Sequence, residues 1–174
     1  MTERPALLIF AGPNGAGKTT YALKYLLSAR RTYTFLNADH FARRLRSQGL
    51  SEPRADLLAV KELLQGINDN IDRLKDISLE TTLSGFSYIQ NIPIWRASGY
   101  FVEMHYLRRP NVEASIAGVQ QRVANGGHNV PEATLRRRFP LSLKNLEIAK
   151  SLVDLWHVFD PGKFEPTESG MNGR

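Results

Sequence analysis

The chain has 174 residues, of which 42% are hydrophobic, and this suffices for one domain with a buried core. It holds no cysteine and no apolar run long enough to cross a bilayer, which excludes disulfides, thiolate metal sites and a membrane partner, and favours the cytoplasm. Its formal net charge of +6 attracts polyanions, but a protein that binds phosphates needs arginines anyway, so the charge is only weak support for a nucleic-acid partner.

The first predicted strand, residues 7–11, leads directly into a glycine-rich run. This run is Gly12-Pro13-Asn14-Gly15-Ala16-Gly17-Lys18-Thr19, which matches the P-loop pattern G-x-x-x-x-G-K-[ST] in full. Its glycines let backbone N–H groups turn towards phosphate oxygens, Lys18 reaches the outer phosphates, and the Thr19 hydroxyl is placed to ligate Mg²⁺. A helical pattern starts at Thr20, so the positive end of the helix dipole faces the anion. The run therefore predicts a binding site for ATP or GTP with Mg²⁺.

Further along the chain, apolar stretches that look like strands alternate with segments of helical period. We predict the other strands at residues 33–37, 77–80, 100–107 and 156–159. A long amphipathic helix is expected to start at Ser51, Asn111 is expected to cap another helix, and Pro131 to open a third. This alternation predicts an α/β fold of the P-loop NTPase or kinase type, a parallel sheet flanked by helices on both faces.

The predicted kinase domain covers residues 1–160. The remaining residues, 161–174, are rich in glycine, proline and charge. Because such a composition offers little apolar surface to bury, we expect this segment to be a disordered C-terminal tail.

Polar residues follow the second and third predicted strands, at the sheet edge where ligands of open α/β sheets bind. Asp39 is placed to accept the proton of an attacking hydroxyl as a general base; alternatively, it caps the helix that follows. Glu80 ends a strand and is expected to hold a Mg²⁺-bound water or bind substrate hydroxyls, the alternative being an ion pair with a neighbouring arginine. Thr82 shares the loop of Glu80 and is a further candidate substrate contact.

Arginines are expected near the phosphates because phosphoryl transfer places negative charge on equatorial oxygens. Arg122 ends a predicted helix beside the glycines 126–127, which we expect to act as a hinge that lets it close over the nucleotide. In the later triple-arginine run, helical geometry favours Arg136 as the residue that faces the cleft, while Arg137 points away. His128, in a glycine-rich loop, is expected to contact phosphate or substrate. For each of these residues, the alternative is a solvated surface position.

The order and spacing of these motifs resemble the zeta toxin family of P-loop kinases in its short Gram-negative form. The likeness runs over residues 7–160, and the Glu-Thr-Thr-Leu-Ser-Gly and Gly-Gly-His-x-Val-Pro elements are more specific than the P-loop itself. The segments that carry the likeness are residues 12–19, 36–39, 79–85, 122–131 and 142–146.

The resemblance implies an enzyme that transfers the γ-phosphate of ATP to a hydroxyl of a UDP-activated amino sugar. Known zeta toxins modify the 3′-hydroxyl of N-acetylglucosamine in UDP-N-acetylglucosamine, poisoning cell-wall synthesis unless a protein antitoxin blocks them. The resemblance also implies that Asp39 is the general base, that Glu80 and Thr82 lie near the sugar nucleotide, and that Arg122 stabilises the transition state. Where longer members carry a second phosphate-binding arginine, this chain has His128, and that role passes to His128 or to the arginines 136–137.

Two other functions are compatible with the motifs. A nucleic-acid or nucleoside end kinase would use the same P-loop and would account for the basic charge. A non-catalytic NTP-binding switch would need the P-loop but neither Asp39 nor the arginines. The latter residues therefore favour phosphoryl transfer over signalling.

Overall fold

The computed structural model describes residues 4–173, which form one mixed α/β architecture. The strands are β1 (Ala6–Ala11), β2 (Thr34–Asn37), β3 (Ile77–Thr81), β4 (Phe101–Leu107), β5 (Leu155–Phe159) and β6 (Glu168–Met171). The helices are α1 (Lys18–Ser28), α2 (Ala38–Ser47), α3 (Glu52–Ile71), α4 (Ser87–Ala97), α5 (Val112–Ala124) and α6 (Glu132–Leu152). Each of the five predicted strands is found within one residue of its predicted bounds.

The strands form a single sheet in the order β2-β3-β1-β4-β5-β6. The first five strands of this order are parallel, and β6 pairs antiparallel with β5. Strand β1 lies in the middle, between β3 and β4, so the loop that follows it opens at the carboxyl edge where the sheet order changes direction. The predicted P-loop kinase-type α/β fold is confirmed.

Alternate residues of β1 face opposite sides of the sheet and enter different cores. Leu7 and Ile9 join the larger core, to which α3, α4 and α6 contribute, whereas Leu8 and Phe10 pack on the other side with Tyr21 of α1. Burial on both faces explains why β1 reads as a continuous apolar run rather than an alternating one. Each such fully buried side chain contributes about 1.5–3 kcal/mol to stability.

The three predicted helix starts are confirmed, and α3 begins directly after Ser51. The Asn111 side chain caps α5 by accepting a hydrogen bond from the backbone N–H of Ala114 at 2.8 Å, and α6 begins directly after Pro131. Helix α4, which contains Pro93, was not predicted. Its buried Trp95 and the packing of α4 against α6 outweigh the backbone hydrogen bond that proline removes. No helix within residues 4–173 combines the length and the apolarity needed to cross a membrane.

The prediction of a disordered tail over residues 161–174 is wrong for the part that forms β6. Strand β6 pairs with β5 in register, with Gly170 opposite Trp156 and beneath its indole ring. Asn172 donates hydrogen bonds to the carbonyl oxygens of Lys150 and Val153, at 2.6 and 2.8 Å. Composition missed this strand because backbone pairing, rather than apolar burial, holds it at the sheet edge. Residue 174 lies outside the described residues.

Candidate active site

The P-loop wraps around the side chain of its own lysine. The Lys18 ammonium donates hydrogen bonds to the carbonyl oxygens of Gly12 and Pro13, both at 2.9 Å. Gly15 and Gly17 have φ angles of 71° and 81°, a left-handed conformation that glycine adopts without steric cost. Gly17 then precedes α1, so the first helical N–H groups point into the loop as predicted.

Helix α5 and the end of β4 clamp the P-loop from outside. The Ser115 hydroxyl donates to the carbonyl of Asn14, and the Arg109 guanidinium donates through Nε, at 2.9 Å, and through Nη2 to the carbonyl of Gly15. Gly118 of α5 lies so close to Gly15 that no side chain fits between them. Sequence reasoning missed Arg109, although it stands just after β4 and the rule of polar residues at strand ends, applied to a fourth strand, would have found it.

Glu80 at the end of β3 meets the residue that follows the P-loop lysine. Its Oε2 accepts hydrogen bonds from the Thr19 hydroxyl and the Asn37 amide, each at 3.0 Å. These partners are a hydroxyl and an amide, in place of the arginine that the alternative interpretation required. The other carboxylate oxygen, Oε1, is buried with no hydrogen-bond partner among the described residues. An orphaned buried oxygen beside a threonine hydroxyl is suited to a cation or its bound water.

The charges around Lys18 and Glu80 perturb both groups. Burial lowers the pKa of Lys18 to about 8, against the opposing attraction of Glu80 and Asp39. The positive charges of Arg122 and Arg109 lower this pKa further. Burial raises the pKa of Glu80, and the nearby Lys18 charge opposes the rise. Two carboxylates and three cations are therefore in electrostatic contact around the P-loop, an arrangement common at catalytic sites.

Asp39 lies in the first turn of α2, on the wall facing the P-loop. Its backbone N–H donates to the Asn37 side chain at 2.8 Å, so Asn37 is the N-cap of α2. The alternative interpretation of Asp39 as the cap is therefore wrong, and its exposed carboxylate is left to other partners. Asp39 lines the same cavity as Lys18.

The loop after β3 has a strained backbone that α6 supports. Leu83 is fully buried with a φ of 55°, a conformation that costs a branched residue about 1–3 kcal/mol. Its N–H donates to the Thr81 hydroxyl at 2.9 Å, and its carbonyl accepts from the buried Asn145 amide at 2.8 Å. Thr82 and Ser84 share a hydrogen bond of 2.8 Å beside it. These contacts fix the loop that presents Thr82 to the cavity.

A cavity of about 1030 Å³ joins these elements at the carboxyl edge of the sheet. This volume is enough for a nucleoside triphosphate with a second small substrate. The predicted site residues with side chains on its wall are Asn14, Lys18, Thr19, Thr20, Asp39, Glu80, Thr82, Arg122, His128 and Arg137. Other wall residues, which include Asn37, Tyr88 and Arg109, were not predicted from the sequence.

Arg136 was predicted to face the cleft, but it does not line the cavity. Its guanidinium is half exposed and pairs with Glu113 and Glu132, at 3.0 and 2.8 Å. Arg137 and Arg138 line the cavity instead. The expectation that Arg136 faces the cleft and Arg137 points away is therefore wrong, because two glutamates hold Arg136 on the outer side of α6.

Arg122 and His128 stand on either side of the turn that ends α5. Gly126 has a φ of 80°, and the backbone of Gly127 packs directly on the Arg122 side chain. The Arg122 Nε is buried without a hydrogen-bond partner among the described residues. His128 Nε2 lies 3.6 Å from a carboxylate oxygen of Glu52, at the start of α3. Arg122 is therefore packed in place with a donor left to be satisfied.

A second, smaller cavity of about 290 Å³ lies on the outer side of the P-loop. Its lining includes Ala16 and Thr20 from the P-loop side, Arg109 from the end of β4, and Pro161 and Gly162 from the loop after β5. A planar group bound between the Arg109 guanidinium and this loop would lie next to the phosphate-binding turn.

The chain matches one protein family and shares its fold with several solved structures. The family described as Zeta toxin matches residues 1–163. An uncharacterized protein of Haemophilus influenzae is 28% identical over 133 residues, which are 76% of this chain and 91% of that protein.

Two of the solved structures with a similar fold come from a toxin-antitoxin system and an RNA repair complex. A chain from the PezAT chromosomal toxin-antitoxin system of Streptococcus pneumoniae has a TM-score of 0.72 at 14% identity, over 97% of this chain and 72% of that one. A chain from the Pnkp1/Rnl/Hen1 RNA repair complex has a TM-score of 0.69 at 18% identity, over 84% of this chain. The match spans 47% of that longer chain. The chain described here belongs to the zeta toxin family and is a P-loop phosphotransferase, a kinase.

Proposed function

We propose that this kinase transfers the γ-phosphoryl group of ATP to a hydroxyl of a UDP-activated sugar such as UDP-N-acetylglucosamine. The observation that carries the proposal is one cavity in which Lys18, Thr19, Glu80 and Asp39 lie together. Family membership supports the reaction class, and the resemblance of the cavity motifs to those of zeta toxins supports the acceptor.

The P-loop is proposed to bind the triphosphate, and the smaller cavity to hold the base. When the triphosphate binds, the Lys18 ammonium would give up its hydrogen bonds to the Gly12 and Pro13 carbonyls and donate to phosphate oxygens instead. The Arg109 guanidinium offers a planar face to a purine, and it already fixes the P-loop through Gly15. ATP or GTP fits this arrangement, and we propose ATP.

Thr19 and Glu80 are the residues proposed to hold Mg²⁺. The buried oxygen Oε1 of Glu80 has no hydrogen-bond partner among the residues described, and the Thr19 hydroxyl is adjacent to the same carboxylate. Both are the hard oxygen donors that Mg²⁺ binds directly or through water. When bound, Mg²⁺ supplies charge neutralisation between the β- and γ-phosphates.

Asp39 is proposed to accept the proton of the sugar hydroxyl. The hydroxyl oxygen forms a bond to the γ-phosphorus, the bond from that phosphorus to the β,γ-bridging oxygen breaks, and ADP leaves with the electron pair. The proton passes to the Asp39 carboxylate, which is exposed in the cavity. Arg122, whose buried Nε has no hydrogen-bond partner within residues 4–173, would donate to the equatorial oxygens of the transferred group.

The outer wall of the cavity is proposed to bind the diphosphate of the sugar nucleotide. Arg137 and Arg138 of α6 and His128 of the preceding loop supply positive charge there, while Thr82 offers a hydroxyl to the sugar. Arg137 and His128 are therefore proposed to take the role of the second phosphate-binding arginine of the longer toxins. Arg136 is not, because it does not line the cavity.

The test is a product analysis of purified protein. The protein is incubated with ATP, Mg²⁺ and separate acceptors, namely UDP-N-acetylglucosamine, UDP-glucose, a nucleoside and a 5′-hydroxyl oligonucleotide, and each product is examined by mass spectrometry for one added phosphoryl group. The proposal expects this gain on a UDP-sugar. Phosphorylation of the oligonucleotide alone would identify a nucleic-acid end kinase and refute the proposed acceptor.

A matched pair of variants tests the role of Asp39 in the same assay. Asp39→Asn keeps the shape of the side chain but cannot take the proton, so we expect kcat to fall about 10²- to 10⁴-fold with ATP affinity unchanged. Arg136→Gln, on the outer side of α6, is expected to behave as wild type. Full turnover in Asp39→Asn would show that another group is the base.

A protein antitoxin is the proposed partner, because the chain belongs to the zeta toxin family and its motifs resemble those of toxins that such partners block. The PezAT structure, from a toxin-antitoxin system, has the same fold. If the kinase is a toxin, its induced expression should arrest growth, and Asp39→Asn expressed to the same level should not. Growth arrest by both forms would disconnect toxicity from catalysis.

A further inference from the structure

Three side chains of types that can bind metals meet on the α1 side of the sheet, away from the wall of the large cavity. Glu103 and His105 are two residues apart on β4 and therefore share a face, and His157 is the direct register partner of His105 on β5. The candidate ligand atoms of the three side chains all lie within 4.8 Å of one another. None of the three is used by the proposed phosphoryl transfer.

Both imidazoles present the same ring nitrogen to the same carboxylate oxygen. His105 Nε2 lies 2.6 Å from Glu103 Oε1, and His157 Nε2 lies 3.8 Å from it. A tetrahedral Zn²⁺ site with bonds of about 2.0–2.1 Å needs ligand atoms about 3.3 Å apart. The distances between these atoms fall on both sides of that value, so side-chain movements of about 1 Å would create the site.

The opposite nitrogen of each ring is already held by a hydroxyl group. His105 Nδ1 is 3.0 Å from the Tyr21 hydroxyl of α1, and His157 Nδ1 is 2.7 Å from the Ser169 hydroxyl of β6. Histidines that bind metals almost always have such a partner behind them, which fixes the ring and directs the free nitrogen at the ion. A hydroxyl group accepts the Nδ1 proton of a metal-bound ring as readily as it donates to a free one.

We propose that Glu103, His105 and His157 bind one Zn²⁺ ion. Two imidazole nitrogens and one carboxylate oxygen form a donor set typical of three-ligand zinc sites, in which water occupies the fourth position. The side chains of Glu103 and His157 are 22% and 23% exposed, which gives the ion a path from solvent, while His105 is buried.

Such an ion would connect the carboxyl-terminal part of the sheet. Glu103 and His105 belong to β4, His157 to β5, and the hydrogen bond of His157 to Ser169 extends the connection to β6. Because the unfolded chain does not hold the three ligands together, Zn²⁺ would stabilise the folded state by mass action. The effect is expected on stability, independently of whether the proposed sugar nucleotide is the acceptor.

The test uses Co²⁺ as a spectroscopic substitute for Zn²⁺ on the purified chain, with Mg²⁺ in excess to occupy oxygen-donor sites. We expect one equivalent of Co²⁺ to give the visible absorption of a low-coordinate site with nitrogen ligands, and Zn²⁺ to displace it. Zn²⁺ should also raise the melting temperature of the wild-type protein.

Variants distinguish this site from adventitious binding. Glu103→Gln and His157→Gln are partly exposed positions, so these variants are expected to fold, and each should weaken Co²⁺ and Zn²⁺ binding about 100-fold or more. Ser169→Ala, which removes the support behind His157, should weaken binding about tenfold. His40→Gln, an exposed histidine of α2, should bind as wild type.

Two outcomes would overturn the proposal. One is a wild-type protein that shows no stoichiometric Co²⁺ spectrum and no Zn²⁺-dependent rise in melting temperature. The other is binding that Glu103→Gln and His157→Gln leave intact, since the ion would then be held elsewhere. In either case, the three side chains form a hydrogen-bonded network without a metal.

Discussion

Replacing Gly118 with alanine tests how closely α5 supports the P-loop. A Cβ at this position would lie 2.5 Å from the Gly15 carbonyl oxygen, which is about 0.9 Å inside an ordinary contact of 3.4 Å, and 2.9 Å from Arg109 Nη2. The nearest atom belongs to the backbone of the phosphate-binding turn, so no flexible side chain can move aside. The methyl group must therefore displace the P-loop or α5.

The expected magnitude follows from two opposing effects. Alanine favours a helix by about 1 kcal/mol over glycine, whereas forcing a methyl group into a packed contact costs about 1–3 kcal/mol. If the P-loop absorbs the displacement, ATP affinity falls by about 5- to 150-fold, the range that corresponds to 1–3 kcal/mol. Calorimetric titration with a non-hydrolysable ATP analogue measures the change in affinity. Thermal unfolding without nucleotide measures the change in the stability of the protein.

Gly66→Ala is the matched control. Gly66 also lies inside a helix, α3, but there the new methyl group would meet only the Leu36 side chain, at 3.6 and 3.7 Å. We expect this variant to be more stable by about 1 kcal/mol, a rise of about 2–4 °C in Tm, with ATP affinity unchanged. If Gly118→Ala were stabilised to the same extent and bound the analogue as wild type, the close support of the P-loop by α5 would be refuted.

Three further predictions concern the charged groups of the site. Because burial lowers the pKa of Lys18 to about 8, the unfolded chain binds more protons than the folded one above this pH, and the stability of the nucleotide-free protein should rise from pH 8 towards 10. Urea unfolding across this range should show the rise in wild type and its loss in Lys18→Met; parallel curves would contradict it. Glu80→Gln keeps the shape of the side chain but removes the proposed Mg²⁺ ligand, so the Mg²⁺ concentration for half-maximal rate should increase about tenfold or more, and an unchanged requirement would place the cation elsewhere. Arg137→Gln should lower kcat/KM for the acceptor about tenfold in product-formation assays, while Arg136→Gln should not, and equal effects would contradict the positions of these side chains relative to the cavity.

The P-loop, the strands and the acidic residues at the strand ends were predictable because they depend on local pattern. A buried strand followed by G-x-x-x-x-G-K-T marks the carboxyl edge of a parallel sheet. Because the other parallel strands end at the same edge, residues that follow them, such as Asp39 and Glu80, lie there too. Their convergence on one cavity follows from the topology rather than from any contact that the sequence displays.

The orientation of α6 was not predictable in the same way. Apolar residues alone do not mark the inner face of α6, because Ser142 and Asn145 are also buried there and form hydrogen bonds with Tyr106 and with the carbonyl of Leu83. When polar residues are buried, the apolar residues alone give the wrong direction for the inner face of the helix. The glutamates that hold Arg136 outside come from two different helices, one of them distant in sequence.

The antiparallel strand β6 also determines what the sheet exposes to other molecules. It pairs with four of the five residues of β5, Leu155 to Val158, which would otherwise be an open hydrogen-bonding edge. At the opposite border, β2 is only four residues long. The border that β6 forms in place of β5 is itself only four residues long, and short edge strands offer incoming chains little template, so this segment protects the protein from edge-to-edge polymerisation.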